Sequence, residues 1–373
     1  MESQKCLPSM RWTSFEGWDY DGMKERLQKA LEAINKPALI RHAERVKGQN
    51  VFMSTPFSAG QYWICFEMVT ADHTIIIARF RLPRRAASSA TVSVEDEAYA
   101  MICEVETMKF VGLKLPSIPI PAVYACALPR SELATAAGAA YMLLEGFHGN
   151  TLQDVGGNLC NLEVRTQEHN MSQWTWMQGQ LATITSPKIG SIYSISDRGE
   201  PMAGRLVDYV SMGLAETGPF STARAYFTAV ADTAVHRSSQ DAQAGAKAFR
   251  DIVLRTDLFG NLRTKERFPL SHMDLGPQNV LVDSDFNFVA IIDWEFAQFA
   301  PWQTYHYPMP FPLLGLDTDD ILKDPGHLAF KNVLPQSISQ ALYCKGFKQP
   351  SFQDIRLLLA PWPVTRRRRQ PSS

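Results

Sequence analysis

The chain has 373 residues, 37 Lys+Arg against 38 Asp+Glu, a formal net charge of −1 and 45% hydrophobic residues. A chain of this length and apolar content is expected to bury a large core in about two domains or lobes, which excludes an intrinsically disordered protein. The charge balance gives no global attraction to nucleic acid or to an anionic membrane, and the one local bias is the run Arg366 to Arg369.

Six cysteines, at positions 6, 65, 103, 126, 160 and 344, show no C-x-x-C spacing. They are therefore expected to be free thiols, and neither a zinc site nor a disulfide framework is implied. Residues 1–11 carry Glu2, Lys5 and Pro8 and no apolar h-region. No secretory signal is expected there, no stretch approaches the ~20 apolar residues of a membrane helix, and cytoplasmic location is the default.

In chain order, the first element is an amphipathic helix over Met23–Ile34, with Met23, Leu27, Ala30, Leu31 and Ile34 on one face and Pro37 as its stop. Pro56 to Gly60 reads as a small-residue turn. Residues 61–69 and 74–80 are β-rich and flank the polar turn Ala71-Asp72-His73, so they predict a hairpin. Val94 to Val111 carries the helical period Val94, Ala98, Met101, Ile102, Val105. Glu95, Asp96 and Glu97 sit in its first turn, where they complement the helix dipole. Residues 122–126 and 141–144 read as short strands, with 134–140 as a connection between them. Gly146, Gly149, Gly156 and Gly157 mark a boundary.

Beyond that boundary the pattern is mostly helical. Trp174, Met177, Leu181 and Ile184 form an apolar stripe of core residues, and 223–235 and 246–258 are further helices. Residues 281–283 and 288–292 bracket Ser284-Asp285-Phe286-Asn287 as a second hairpin. The acidic group Asp317, Asp319 and Asp320 reads as a solvated loop, and Arg366 to Arg369 as part of a solvated tail.

The chemistry lies in Ser271-His272-Met273-Asp274-Leu275-Gly276-Pro277-Gln278-Asn279, followed by Ile291-Ile292-Asp293-Trp294-Glu295. A triphosphate needs divalent metal bridging its oxygens, and hard cations take oxygen ligands such as Asp and Asn. A separate carboxylate must orient the attacking hydroxyl and accept its proton. Asp274 fits the base, and Asn279 and Asp293 fit the metal ligands. His272 reads as packing behind the loop. Glu295 stands evenly between a supporting contact and a metal or substrate contact.

These motifs resemble the catalytic loop of the aminoglycoside phosphotransferase and choline kinase-like family, fungal-type members included, in which an I-D-W/F-E strand replaces Asp-Phe-Gly. The resemblance extends over about residues 40–302. Gly60 with Gln61-Tyr62-Trp63 resembles an abbreviated glycine loop, 75–79 the third strand, 104–108 the helix behind it, and 141–149 the interlobe hinge. It implies an α+β, protein-kinase-like bilobal fold: a small β-rich N-lobe with one long helix, and a larger, mainly helical C-lobe. The expected divisions are a helical extension at 1–47, the nucleotide-binding N-lobe at 48–145, the catalytic and acceptor-binding C-lobe at 146–360, and a basic tail at 361–373.

The resemblance further implies ATP and Mg²⁺ as cofactors and a small-molecule hydroxyl as acceptor, with no nucleic acid, membrane or protein partner. Asp274 would be the catalytic base, and Asn279 and Asp293 the Mg²⁺ ligands. Gly60, Arg79, Glu104, Glu145 and Phe147 would meet the nucleotide, Glu104 by pairing with the third-strand cation and the last two by their backbone. The sequence departs from the protein-kinase pattern at that cation, where Arg79 stands in place of Lys, with Arg81 on the same strand face. A kinase-like binding module with little activity is therefore an alternative. A protein kinase ranks lower, because no A-P-E element follows Asp293.

Overall fold

The computed structural model describes residues 7–8, 23–60, 62–82, 92–156, 162–207, 214, 216–238, 240, 242–259 and 266–305. Gln61, Gly157, Cys6, Cys160, Cys344, the acidic group at 317–320 and the arginine run at 366–369 lie outside them. Cys65, Cys103 and Cys126 are free thiols.

The two β-rich runs fold as expected into a hairpin, β2 (Trp63–Thr70) and β3 (Ile75–Arg81). Its register sets Trp63 opposite Arg81 and Cys65 opposite Arg79. A strand precedes them that the sequence did not suggest, β1 (Val51–Ala59). It includes Pro56, read above as part of a turn. Register shifts on either side of Pro56 explain the discrepancy: the strand bulges where the proline cannot donate to the ladder. With β4 (Val123–Ala127) and β5 (Tyr141–Glu145), these strands make one antiparallel sheet in the order β1-β2-β3-β5-β4.

Two helices precede the sheet, α1 (Met23–Ala33) and α2 (Lys36–Lys47). Pro37 was read as a stop, but it also sits in the first turn of α2. The missing N–H of a proline costs nothing there, and the Asn35 side chain caps the turn by accepting from Ala38 N at 3.3 Å. Leu27 and Leu39 have no exposure. Burial of such side chains is worth roughly 1.5–3 kcal/mol each. Phe66, Phe80 and Tyr141 stack on one face of the sheet, with His42 of α2 edge-on to Tyr141.

The expected connection at 134–140 contains a short helix, α4 (Glu132–Ala137), numbered after the long helix below. Ser131 caps its start, and Gly138 ends it at φ 90°, where a Cβ would overlap the Ala33 carbonyl at the end of α1.

The long helix, α3 (Val94–Lys114), begins on a capping box between Ser93 and Asp96 and carries the three acidic residues in its first turn. Met101, Glu104, Val105, Met108 and Val111 are buried. Its start is tied to the later part of the chain by an Arg205–Asp96 ion pair at 2.6 Å and by Tyr99, whose hydroxyl donates to Arg205 O at 2.9 Å.

After β5 come β6 (Asn150–Thr151), α5 (Leu152–Gly156) and α6 (Val164–Thr183). Trp174, Met177 and Leu181 of the expected stripe are buried. Then follow β7 (Thr185–Ser186), β8 (Ile192–Ile195), β9 (Pro201–Ala203), α7 (Ala223–Arg237) and α8 (Gln243–Arg255). The chain continues with β10 (Phe268–Ser271), β11 (Val280–Val282), β12 (Phe288–Ile291), β13 (Gln298–Phe299) and α9 (Trp302–Tyr305). The short strands pair as β13-β10-β7, β12-β11-β6 and β8-β9. The fold class is the expected one, α+β, with a β-rich first part carrying one long helix and a larger, mainly helical second part.

Candidate active site

Asp274 follows β10, whose four residues are all buried, so the strand is a fixed base for the loop. Gly276 N returns to Asp274 O at 3.0 Å, and Pro277–Asn279 closes a single 3-10 turn with the proline at its start. The turn brings Asn279 back onto Asp274. Asn279 Nδ2 donates to Asp274 O at 2.8 Å and to Oδ2 at 3.0 Å. Both partners only accept, which fixes the amide orientation and leaves Asn279 Oδ1 turned away from Asp274. Gln278 Nε2 approaches the other carboxylate oxygen, Oδ1, at 3.3 Å. Burial raises the Asp274 pKa above the ordinary carboxylate value, the charge of Asp293 adds to this, and the Asn279 hydrogen bond opposes it.

Asp293 ends the β11–β12 hairpin in the left-handed region, at φ 66° and ψ 59°. Three contacts hold its loop from below. Ile292 N donates to Asn279 O at 3.0 Å, His272 donates from Nε2 to Ile292 O at 3.1 Å, and Trp294 Nε1 donates to Ile291 O at 2.9 Å. His272 and Trp294 have no exposure, and their rings lie 4.6 Å apart. His272 is thus a strut between the two loops, as its packing reading anticipates. Burial pushes its imidazole down to about 4.

Arg79 enters from above, at the end of β3. Its Nη1 lies 2.6 Å from Glu104 Oε1 on α3, and its Nη2 lies 3.0 Å from Asp293 Oδ1. Burial works against the guanidinium charge, but Glu104 and Asp293 outweigh it and hold its pKa above the ordinary value. Glu104 is raised by the same burial, against the pull of Arg79. The other arginine is turned elsewhere: Arg81 Nη1 lies 3.0 Å from Glu295 Oε1.

The remaining expected residues make other contacts. Gly60 follows β1, and its N–H donates to Trp63 O at 2.9 Å. A Cβ at Gly60 would meet open space. Glu145 ends β5, and its N–H is already given to Ala122 O at 2.8 Å, so only its carbonyl remains for a ligand. Its carboxylate accepts from Ala122 N at 3.0 Å. Phe147 is half-buried two residues further on. The structure therefore joins Arg79, Glu104 and Asp293 directly, and Asp274 with Asn279. Gly60, Glu145 and Phe147 stand apart from both groups.

No cluster of three or more His, Cys, Asp or Glu placed to hold a metal exists among the described residues. The donor chemistry nonetheless fits Mg²⁺, which takes few protein ligands and keeps water and phosphate oxygens. Asn279 Oδ1 and Asp293 Oδ2 are the oxygens left over by the hydrogen bonds above.

Two neighbours of this site were not singled out in the sequence. Gln278 reads as a turn residue beside Pro277 until the fold places its amide on Asp274. Trp63 carried one signal, an indole N–H in a β-rich run that needs an acceptor when buried.

The family model for the phosphotransferase enzyme family matches residues 80–303. The chain belongs to the phosphotransferase enzyme family. That match spans Glu104, Asp274, Asn279 and Asp293. Arg79 and the β1–β2 hairpin precede it. Family membership and the sheet order agree with the protein-kinase-like class expected for the fold.

No curated protein matches the sequence of this phosphotransferase family member. Among solved structures it is similar to a putative fructosamine-3-kinase from Thermobifida fusca YX-ER1, at 14% identity over 81% of this chain and 86% of that one, with a TM-score of 0.44. It is also similar to a macrolide 2'-phosphotransferase type I, at 13% identity over 87% and 95% of the two chains, with a TM-score of 0.42. A macrolide 2'-phosphotransferase from Brachybacterium faecium matches at 13% identity over 87% and 98%, with a TM-score of 0.41. Similarity at this level does not reach the acceptor. Within the described residues, no helix is long and apolar enough to cross a membrane.

Proposed function

We propose that the protein transfers the γ-phosphoryl group of ATP, with Mg²⁺, to a hydroxyl of a small molecule. ATP would lie between an N-lobe of residues 48–145 and the C-lobe that begins at 146. The observation that carries this reading is the hydrogen-bonded pair Asp274–Asn279 tied through Ile292 N to the loop that presents Asp293. A base and two oxygen ligands meet at one place, as phosphoryl transfer requires.

Asp274 orients the acceptor hydroxyl and accepts its proton as the oxygen attacks the γ-phosphorus. An O–P bond forms to the acceptor, the bond to the β–γ bridging oxygen breaks, and ADP leaves with that oxygen. The raised pKa of Asp274 suits the base role, since a stronger base takes the hydroxyl proton more readily. Asn279 holds the Asp274 carboxylate by one side of its amide and offers Oδ1 to the metal. Asp293 offers Oδ2. These two oxygens would hold Mg²⁺, which would supply positive charge against the phosphates. Arg79 supplies the fixed positive charge of the roof, set against α3 by Glu104. The Glu145 carbonyl, its N–H already given to Ala122 O, and the backbone at Phe147 would meet the adenine, and Gly60, where a Cβ would meet open space, would leave room for the phosphates.

A second reading is a nucleotide-binding module without turnover. The observation in its favour is that Arg79 spans Glu104 and Asp293 with both terminal nitrogens. Melting with ATP in the presence and absence of Mg²⁺ tests binding. A rise that needs both supports nucleotide binding at this site, and no rise at millimolar MgATP contradicts both readings. Turnover then separates them.

A further inference from the structure

Glu295 lies two residues after Asp293 and is 4% exposed, so its charge needs partners. Both partners come from the N-terminal sheet. Trp63, the first residue of β2, donates from Nε1 to Glu295 Oε2 at 3.1 Å. Arg81, opposite Trp63 on β3, places Nη1 3.0 Å from Oε1 as a charge contact without hydrogen-bond geometry. The guanidinium carbons of Arg79 and Arg81 lie 4.5 and 4.8 Å from the Trp63 ring centroid, so the indole also organises the two cations.

Both oxygens of Glu295 thus meet the N-terminal sheet. The contact ties the hairpin that follows Gly60 to the loop that presents Asp293. That loop needs holding. Asp293 adopts a left-handed conformation that L-residues rarely take. Arg79 holds it by the side chain, and Glu295 anchors the chain two residues on. Arg79, Arg81, Glu104, Asp293 and Glu295 set two arginines against three carboxyl groups, and Asp293, the most exposed of the three, is the one open to a bound cation.

We propose that Glu295 is a positioning residue, and that its clasp with Trp63 and Arg81 sets the affinity of Asp293 for the nucleotide-bound metal. The proposal rests on the phosphotransferase reading, but half of its test does not. The test uses wild type, Trp63→Phe, Glu295→Met, which leaves no oxygen to accept the indole N–H, and the double variant. Phenylalanine keeps a ring for the arginines and removes the N–H together with part of the buried indole volume, a loss that the double variant shares.

The first readout is melting without nucleotide or metal. Each single variant is expected to melt lower, and the double variant no lower than the weaker single, because both remove one contact. Additive losses overturn the clasp. The second readout is the Mg²⁺ concentration that gives half of the stabilisation by a non-hydrolysable ATP analogue. A rise of about tenfold is expected for Trp63→Phe and for Glu295→Met, and an unchanged midpoint overturns the positioning role. Should Glu295→Met fail to fold, Trp63→Phe alone decides by its Mg²⁺ midpoint. Wild type that shows no MgATP stabilisation refutes the phosphotransferase reading and the positioning role together, while the nucleotide-free cycle still decides the clasp.

Discussion

Arg79 Nη1 lies 2.6 Å from Glu104 Oε1, and Glu104 has no solvent exposure. The second oxygen of Glu104, Oε2, is buried without a hydrogen bond among the described residues. Such a pair is costly to desolvate, and breaking one side strands the other charge. Replacing Arg79 by Met is therefore expected to destabilise the protein by about 3–5 kcal/mol. Arg79→Lys offers one compact ammonium where the guanidinium spans Glu104 and Asp293, so it is expected to fall between wild type and Met. Urea midpoints of the three proteins check the order. A Met variant as stable as wild type would show that the pair is not holding the roof to α3.

Asp274 binds no nucleotide in the proposed mechanism, so Asp274→Asn is expected to keep MgATP stabilisation in melting experiments and to lose transfer by about 10²–10⁴-fold. The isosteric amide keeps the turn, because its oxygen can still accept from Asn279 Nδ2. Parallel loss of nucleotide binding would move Asp274 from the base role to a structural one.

His272 gives a pH dependence. Burial lowers its imidazole from 6.5 to about 4. Above 6.5 it is neutral in both folded and unfolded chains, and its packing is fully retained. Between 6.5 and 4 the unfolded chain binds a proton that the folded protein refuses, so stability falls as pH falls. His272→Gln can still donate to Ile292 O and does not titrate. Urea midpoints at pH 7.5 and pH 5 are expected to drop less for this variant than for wild type. An equal drop would place the acid sensitivity elsewhere.

Gly276 is at φ −102°, so its backbone does not require glycine. A Cβ there would overlap the Gln278 amide, which is the group that reaches Asp274. Gly276→Ala is expected to displace that amide and slow transfer several-fold, and to have no further effect in a Gln278→Ala background. Equal losses in both backgrounds would mean that Gly276 serves some other contact.

Much of this was legible in the sequence because local signals agreed. The turn at 71–73 between two β-rich runs set the register that puts Arg79 opposite Cys65, and the acidic first turn with Ser93 before it set the start of α3. The spacing of Asp274, Asn279 and Asp293 pointed to one edge, and the fold joins Asp274 to Asn279 and Asn279 O to Ile292 N beside Asp293. What was missed lay in local backbone detail, in strands too short to show a pattern, or in partners far along the chain. Pro56 is tolerated in β1 because the strand bulges around it, and Pro37 opens a helix because Asn35 caps it. The strands β6, β7 and β13 have two residues each, too few for any alternation to show. Glu295 and Trp63 stand 232 positions apart, and only the fold pairs them.

The central claim is phosphoryl transfer by Asp274 to a small-molecule hydroxyl. Its most direct test is to incubate wild type and Asp274→Asn with MgATP labelled in the γ-phosphate and a metabolite extract, and to follow the label by mass spectrometry. A labelled phosphate ester that forms with wild type and is absent with Asp274→Asn is the predicted result. Label that stays in ATP with both proteins, or an ester that forms equally with both, would contradict it.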